Sequence, residues 1–241
     1  GTAAGVAAGI AALGAPAPAM AVVPLGTFNY FARGLGLPLE AEAAVDLAAE
    51  GVAQPVSTGE VNGQIFLNNA SLGLYPEVLR RRERIYARFG RSRPAAIWSV
   101  ARTLMRAGGP EELRLALDGE ELRRRSPLAF VARSAFQIER FGLSGADCVR
   151  SGRFAVFFAP DKGRAWLAFH AARLGLGWAE PGRDFDWRCA SEAVIETRAP
   201  RRRVACDGER RTMEGPFHFR IRADALHVVV PEATPQTGAP R

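Results

Sequence analysis

Three Asx-Gly dipeptides, each beside runs of strand-forming residues, constrain the fold of this chain more than any other feature. They are Asn62-Gly63, Asp118-Gly119 and Asp207-Gly208. Such pairs supply the positive φ angles of tight hairpin turns. Strand-like runs lie at 56–61, 64–70, 112–117, from 122 onward, and at 128–133, 154–159, 193–197, 204–206, 217–222 and 226–230. We therefore predict an antiparallel β-sandwich-like domain over residues 56–231, with helices at 77–89, 94–106 and 164–174.

The first 55 residues follow a different pattern. Helix-forming segments at 3–13, 28–35 and 41–49 alternate with one short apolar run at 20–23. This alternation is typical of an α/β domain with a parallel sheet. Because a lone strand cannot form a sheet, we expect residues 1–55 to be the C-terminal part of such a domain, with strands that precede Gly1. Residues 232–241 are expected to form a loose tail.

Residues 1–23 carry no charged side chain, which raises the question of a signal peptide or a membrane span. The stretch has no basic N-terminal region, and its glycines and prolines make it only weakly apolar. We therefore expect neither, and predict instead an Ala/Gly-rich helix packed closely against a sheet.

The segment from Pro24 to Arg33 places a turn, a hydroxyl, an amide and an arginine between an apolar run and a helix. Gly26 would let the backbone approach a ligand, and Thr27 could cap the helix that follows. Free N–H groups at a helix start attract anions. The residues alone leave two interpretations open, a phosphate site and a strand-turn-helix junction without a ligand.

The net charge of +7 and the pI of about 10.3 come almost entirely from arginine, since Lys162 is the only lysine. A basic chain favours anionic partners such as nucleotides, nucleic acids or acidic lipid headgroups. The cysteines Cys148, Cys189 and Cys206 are odd in number and have neither Cys-x-x-Cys nor zinc-site spacing. This pattern indicates a reducing cytosol.

Three blocks of the sequence form an ordered series. The first runs Pro24-Leu25-Gly26-Thr27-Phe28-Asn29 and continues to Ala32-Arg33, the second is Asn68-Asn69-Ala70-Ser71-Leu72-Gly73, and the third is Asp207-Gly208-Glu209 with an apolar strand and Pro231 after it. The series resembles the diacylglycerol kinase catalytic family, which includes sphingosine kinases and bacterial soluble lipid kinases. Gly1-Thr2 resembles the end of that family's Gly-Gly-Asp-Gly-Thr motif, so we expect an N-terminally truncated piece.

The resemblance implies an ATP-dependent kinase, with Mg²⁺, that phosphorylates the hydroxyl of a diacylglycerol- or sphingosine-like lipid. Residues 1–55 would then belong to the nucleotide-binding domain, and residues 56–231 would form the lipid-substrate domain. The nucleotide-binding residues carried over from the family are Gly1, Thr2, Gly26, Thr27 and Asn29. Glu209 is carried over as the general base that takes the hydroxyl proton.

The general base has a rival, because Asp118-Gly119-Glu120 repeats the tripeptide Asp207-Gly208-Glu209. A hairpin turn alone selects Asp-Gly at both places, so a solvated turn carboxylate is an alternative reading of either glutamate. The apolar strand and Pro231 that follow the second tripeptide match the family and favour Glu209.

The segment that aligns with the family's structural Mg²⁺ loop departs from the family pattern. An acidic turn is expected there, and the residues are Arg150-Ser151-Gly152-Arg153. Arginines beside a divalent cation are unfavourable, so we expect this metal site to be absent or altered, and no metal ligand is assigned. Asp161 lies nearby in the sequence and could substitute.

A lipid kinase reaches its substrate at a bilayer, so the resemblance implies a cytoplasmic protein at the inner membrane surface, with nucleotide and lipid as partners. The arginine clusters at 80–106, 123–125 and 201–203 are expected to contact that surface. Nucleic acid is not expected, because no reader motif accompanies the arginines. A homodimer is compatible with this interpretation. Two alternatives stay open, a catalytically impaired lipid-binding homologue and an NAD kinase-like small-molecule kinase.

Overall fold

The structure, a computed structural model, describes residues 2–14, 17–26, 28–73, 110–163, 165, 166, 169, 170, 173 and 185–232. Several expectations lie outside these residues, namely those for Gly1, Thr27, the helices at 77–89 and 94–106, the arginines between 80 and 106, and the tail from 233. Within the helix expected at 164–174, the described residues are helical.

Three helices precede the first strand, and two more lie between the sixth and seventh strands, beside the second sheet. They are α1 (Thr2–Leu13), α2 (Tyr30–Gly34), α3 (Ala41–Glu50), α4 (Ala135–Arg140) and α5 (Ala146–Arg150). Helices α1 and α3 confirm two predictions. The sequence patterns missed α4 and α5, because five or six residues are too few for a periodic pattern. Among the described residues, no helix combines the length and the apolar character needed to cross a membrane.

The strands of the described chain form two six-stranded antiparallel sheets. The strands are β1 (Val52–Val61), β2 (Gln64–Phe66), β3 (Asn69–Gly73), β4 (Glu111–Leu117), β5 (Glu120–Ser126), β6 (Leu128–Ala132), β7 (Phe154–Phe158), β8 (Asp186–Ala190), β9 (Glu192–Thr197), β10 (Arg201–Cys206), β11 (Glu209–Glu214) and β12 (Phe217–Val230). The first sheet has the order β2-β1-β12-β9-β4-β5 and the second has the order β11-β10-β3-β6-β7-β8.

The three predicted hairpin turns are confirmed. Asn62, Asp118 and Asp207 have φ angles of 45°, 47° and 48°, and each is followed by a glycine with positive φ. Two strands differ from the prediction. The run 64–70 divides between the two sheets, and the runs at 217–222 and 226–230 form one strand. Asp224, at φ 50°, lies in the bulge that joins them, where the β1–β12 register shifts.

The parallel sheet expected within residues 1–55 is not formed by the described residues. Met20 makes a single parallel bridge to Val228, and residues 21–25 are irregular. The bridge consists of two hydrogen bonds, in which Met20 N donates to His227 O at 2.7 Å and Val229 N donates to Met20 O at 3.0 Å. The prediction of a strand over 20–23 was therefore wrong, because an apolar run shows burial but not a pairing partner.

The inner faces of the two sheets share one apolar core. Phe66 lies fully buried within it, with its ring centroid 5.9 Å from that of Phe154 and 6.4 Å from that of Phe219. A Cβ atom at Gly59 would lie 2.3 Å from the Phe66 ring, so glycine is required at that position. The outer face of the second sheet is covered by α4 and α5, and alternate residues of β7 therefore face two different apolar clusters.

The N-terminal helices pack on the far end of β12. Leu226, Val228 and Val230 of that strand are buried in one cluster with residues of α1, α2 and the segment around them. The expected boundary at residue 55 lies within β1, and the division into domains stays a prediction.

Cys148 and Cys189 form a disulfide that ties α5 to β8, with 5.8 Å between their Cα atoms. The pairing was not expected, because 41 residues of sequence separate the two cysteines and only the fold brings them together. The compartment inferred from three unpaired cysteines therefore loses that support. Cys206 is buried and free.

Replacing Phe66 with alanine should remove the ring that both sheets pack around. We expect Phe66→Ala to lower the free energy of unfolding by about 3–5 kcal/mol, measured by urea denaturation. The control is Val45→Ala on α3, where the side chain is 56% exposed and the change should stay within about 0.5 kcal/mol. Equal midpoints for the two variants would contradict this account of the core.

Burial raises the pKa of the Cys206 thiol from 9.0 to about 12, and the Asp207 carboxylate acts in the same direction. Because the folded state holds this proton more tightly than the unfolded chain, the thiol's contribution to stability is complete below about pH 9 and is lost as the pH rises toward 12. Iodoacetamide at about pH 8 should label no thiol in the native protein, because the reactive form is the thiolate. Intact-mass analysis should then find one label after unfolding and three after unfolding with reductant. A native protein that takes up a label would contradict the burial of Cys206.

Candidate functional site

The loop from Pro24 to Asn29 is closed by the Asn29 side chain. Its Nδ2 donates a hydrogen bond to the Pro24 carbonyl at 2.7 Å. A Cβ atom at Gly26 would lie 2.8 Å from Asn29 Oδ1, so a side chain at position 26 would displace the amide. The spacing of proline, glycine and asparagine in this segment therefore has a structural reason. The carboxamide nitrogen of Asn29 is engaged inside the loop.

The expected anion site at the start of α2 needs a correction. Helix α2 has five residues and begins at Tyr30, where position 28 had been expected. Asn29 precedes it in the left-handed region at φ 49° and makes no side-chain capping bond to the helix. A single turn has a weak dipole. Any anion binding here would rest on the loop itself. Thr2 is exposed in the first turn of the longer helix α1.

The Asp207 carboxylate holds the corner at which the chain leaves β2 and enters β3. It accepts backbone hydrogen bonds from Leu67 at 2.6 Å, Asn68 at 2.7 Å and Asn69 at 3.2 Å. Asp207 N donates in turn to the Asn69 carbonyl at 2.9 Å. Burial raises the pKa of the Asp207 carboxyl, and the three N–H donors together with the Asn68 side chain oppose that rise. The sequence marked Asp207 only as a turn residue and missed this role.

Glu209 follows this turn as the first residue of β11. It is exposed, and its backbone pairs with that of Cys206 across the hairpin. The position of Glu209 is therefore fixed by a turn whose first residue, Asp207, is bonded to the corner at 67–69.

The rival turn has the same construction. The Asp118 carboxylate accepts hydrogen bonds from Ser191 N, at 2.8 and 3.0 Å to its two oxygens, and from Glu192 N at 2.8 Å. Glu120 then begins β5 and is exposed. In both hairpins the aspartate binds the backbone of a neighbouring connection, which accounts for the repeated Asp-Gly pair.

The surroundings of the two turns differ. Leu67, at the corner held by Asp207, is buried in the same cluster as Ala7 of α1 and Ala32 of α2. The corner held by Asp207 therefore lies in the same apolar cluster as residues of α1 and α2. The Asp118 turn contacts the connection between β8 and β9 instead.

The residues at the loop after α5 do not fit a structural magnesium site. The Arg150 guanidinium forms ion pairs with Glu139 and, at 3.0 Å, with Asp147, and these hydrogen bonds raise the pKa of Arg150. Asp161, the suggested substitute, pairs with Arg125 at 3.1 Å. In the part of the chain that the structure describes, no three His, Cys, Asp or Glu side chains are grouped as metal ligands.

A buried arginine at the end of β6 was also missed. Arg133 is 9% exposed and donates to the Val149 carbonyl and to the Ser57 hydroxyl, which lies at the β1 bulge. Burial lowers the pKa of Arg133 to about 10. The abundance of arginine in this chain hid the residue, since nothing local separates a buried arginine from an exposed one.

Residues 1–61 match the family profile described as Diacylglycerol kinase catalytic domain. The "Probable lipid kinase YegS-like" protein of Pseudomonas aeruginosa is 49% identical over 59 residues, which are 24% of this chain and 19% of that protein. The "Diacylglycerol kinase" of Bacillus subtilis is 47% identical over 62 residues, or 25% of this chain and 20% of that protein. Residues 1–61 are thus similar to part of a diacylglycerol kinase catalytic domain. The matched segment spans about a fifth of the length of these relatives.

The fold is similar to solved structures over nearly the whole chain. A diacylglycerol kinase from Bacillus anthracis has a TM-score of 0.64 with 19% identity, covering 94% of this chain and 72% of that one. A second structure from that organism has a TM-score of 0.71 with 23% identity, covering 98% and 76%. Yeast NADH kinase has a TM-score of 0.51 with 10% identity, covering 92% and 57%. These likenesses show a diacylglycerol kinase-like fold, which an NAD kinase relative shares.

The diacylglycerol kinase match confirms the family suggested by the first sequence block, because residues 24–33 lie inside the matched segment. The second and third blocks lie beyond residue 61, where the likeness is one of fold. The assignments of Gly1, Thr2, Gly26, Thr27, Asn29 and Glu209 stay predictions.

Removing the Asp207 carboxylate should leave three backbone N–H groups without their acceptor. We expect Asp207→Ala to lower the free energy of unfolding by about 1–3 kcal/mol beyond the cost of alanine at positive φ. The matched control is Asp118→Ala, which has the same backbone strain but faces water, where the freed N–H groups are solvated. Urea denaturation should give the larger loss for Asp207→Ala, and the reverse order would contradict the corner's dependence on that carboxylate.

Proposed function

We propose that the protein that carries this chain transfers the γ-phosphoryl group of ATP to a hydroxyl group of a diacylglycerol- or sphingosine-like lipid. Support comes from the catalytic-domain match over residues 1–61 and from the corner at 67–69, which is bonded to the turn before Glu209 and shares an apolar cluster with α1 and α2. The second observation carries the proposal, because a kinase must bring its base and its nucleotide loop to one place.

In this proposal Glu209 is the general base. The lipid hydroxyl oxygen attacks the γ-phosphorus, its proton passes to the Glu209 carboxylate, and the bond to the ADP oxygen breaks. The two hairpin turns differ at this point. Glu120 occupies the equivalent turn position in the first sheet, but its aspartate binds Ser191 and Glu192, which are not among the described residues of the N-terminal cluster.

The nucleotide side of the site is proposed to consist of Gly1, Thr2, Gly26, Thr27 and Asn29. A side chain at position 26 would displace the Asn29 amide, and a glycine there allows a ligand to approach the backbone closely. When bound, Mg²⁺ would neutralise charge on the transferred phosphoryl group. Asn29 contributes by holding the loop shape through the Pro24 carbonyl.

The proposed location is the cytoplasmic face of the inner membrane, where a lipid substrate would be met. The described arginines that support it include Arg123 and Arg125 on β5, and Arg201 on β10, whose side chains are 68–70% exposed. Basic residues near an acidic bilayer each contribute about 1 kcal/mol.

A second candidate is a lipid-binding homologue with impaired catalysis. The observation in its favour is the loop after α5, where Arg150 and Arg153 replace the acidic turn that the resemblance leads one to expect. A third candidate, a kinase of a soluble nucleotide, is supported by the fold similarity to yeast NADH kinase.

The general base is tested with Glu209→Gln in the full-length protein. We expect kcat for ATP-dependent phosphorylation of lipid in mixed micelles to fall by about 10²–10⁴-fold, because the amide cannot accept the proton. The KM for ATP should change little, since Glu209 is not assigned to the nucleotide.

Glu120→Gln is the matched control, since it changes the same residue of the same tripeptide in the other sheet and should leave kcat unaltered. Unchanged turnover in Glu209→Gln would overturn Glu209 as the base. A wild-type protein that binds lipid without phosphorylating it would favour the impaired homologue. Phosphorylation of NAD in place of lipid would favour the third candidate.

A further inference from the structure

An aromatic and basic surface lies shortly after β7. We call it the Trp166 patch, and it consists of Lys162, Trp166, Phe169 and Arg173. The spacings of three and four residues place the last three side chains on one side of a helix. Phe169 is 60% exposed, although phenylalanine side chains are normally buried.

Cations flank both rings of the Trp166 patch. Lys162 Nζ lies 5.5 Å from the centroid of the Trp166 ring, and Arg173 Cζ lies 5.9 Å from that of Phe169. Both distances are within the range of cation–π attraction. The Trp166 ring also stacks on buried His170, with 3.9 Å between centroids. An exposed aromatic side chain and positive charge are therefore held together on a supported surface.

The acidic residue next to the patch is neutralised by an ion pair. Asp161 precedes Lys162, and its Oδ2 atom lies 3.1 Å from Arg125 Nε in an ion pair. Arg125 is 68% exposed and follows Arg123 and Arg124 in β5. The charge of the Asp161 carboxylate beside the patch is thus offset by Arg125.

We propose that the Trp166 patch docks the protein on an anionic bilayer. Phe169 and the edge of Trp166 enter the headgroup region, and Lys162 and Arg173 contact lipid phosphates. Aromatic rings with flanking lysine or arginine are characteristic of surfaces that lie in the membrane interface. Single-stranded nucleic acid fits less well, because bases stack on open ring faces and here cations and His170 lie against those faces.

The proposed function supplies the purpose of this docking surface, which is access to a lipid substrate. The docking itself does not depend on that function. Vesicle binding needs neither ATP nor turnover. A protein that binds vesicles but phosphorylates no lipid would therefore separate the failure of the proposed kinase activity from that of the docking surface.

The test uses the full-length protein and sedimentation with vesicles of phosphatidylglycerol and phosphatidylcholine. We expect binding to the acidic vesicles and little binding to phosphatidylcholine alone. Phe169→Ala should weaken binding at least about tenfold and Lys162→Glu about 25-fold, because the latter changes two units of charge. The controls are Val45→Ala and Arg153→Glu, which alter an exposed apolar residue and an exposed arginine elsewhere and should stay within about twofold.

A second measurement starts from the wild-type protein and reports the depth of the rings in the bilayer. Tryptophan fluorescence of the wild-type protein should be quenched by vesicles with brominated acyl chains, and Trp166→Phe should lose most of that quenching. Vesicle binding that is equal in the wild type and all patch variants would overturn the proposal. So would wild-type protein that ignores acidic vesicles, or single-stranded RNA binding that Phe169→Ala abolishes while vesicle binding is kept.

Discussion

The hydrogen bonds from residues 67–69 to the Asp207 carboxylate are the contacts on which the rest of the structure depends. At this corner the chain leaves the first sheet and enters the second. Phe66 directly before it occupies the shared core, and β3 directly after it pairs with β6 and β10. Backbone N–H groups at such a crossing have no strand partner, so an acceptor must come from elsewhere. Here it comes from a residue about 140 positions away.

The duplicated Asp-Gly-Glu tripeptide shows how a structural device and a chemical group can share one motif. In both sheets the aspartate secures a neighbouring connection, so the first two residues of each tripeptide are explained by folding alone. The aspartate's hydrogen bonds do not explain the glutamate at the third position. Glu209 differs from Glu120 in the residues around its turn, since the corner held by Asp207 packs with α1 and α2.

Local features of the fold could be predicted from the sequence, and long-range features could not. The hairpins at Asn62, Asp118 and Asp207 were predictable because turn positions with positive φ favour Asn-Gly and Asp-Gly pairs. The division of residues 64–70 between sheets, the bulge at Asp224 and the Cys148–Cys189 pairing depend on partners far along the chain. Of the candidate site, the loop at 24–29 was marked by its composition. Glu209 was found through family resemblance, because an exposed turn carboxylate has no local pattern of its own.

Strand β12 has a consequence for how this protein can be divided. Its 14 residues serve two cores at once, since Phe217 and Phe219 fill the space between the sheets while Leu226, Val228 and Val230 lie under the N-terminal helices. If the N-terminal helices were separated from the sheets, one end of β12 would lose the residues that cover it. Recombination between related genes, or a cloning boundary chosen near residue 55, would expose an apolar edge suited to aggregation. Both cores therefore depend on one uninterrupted strand.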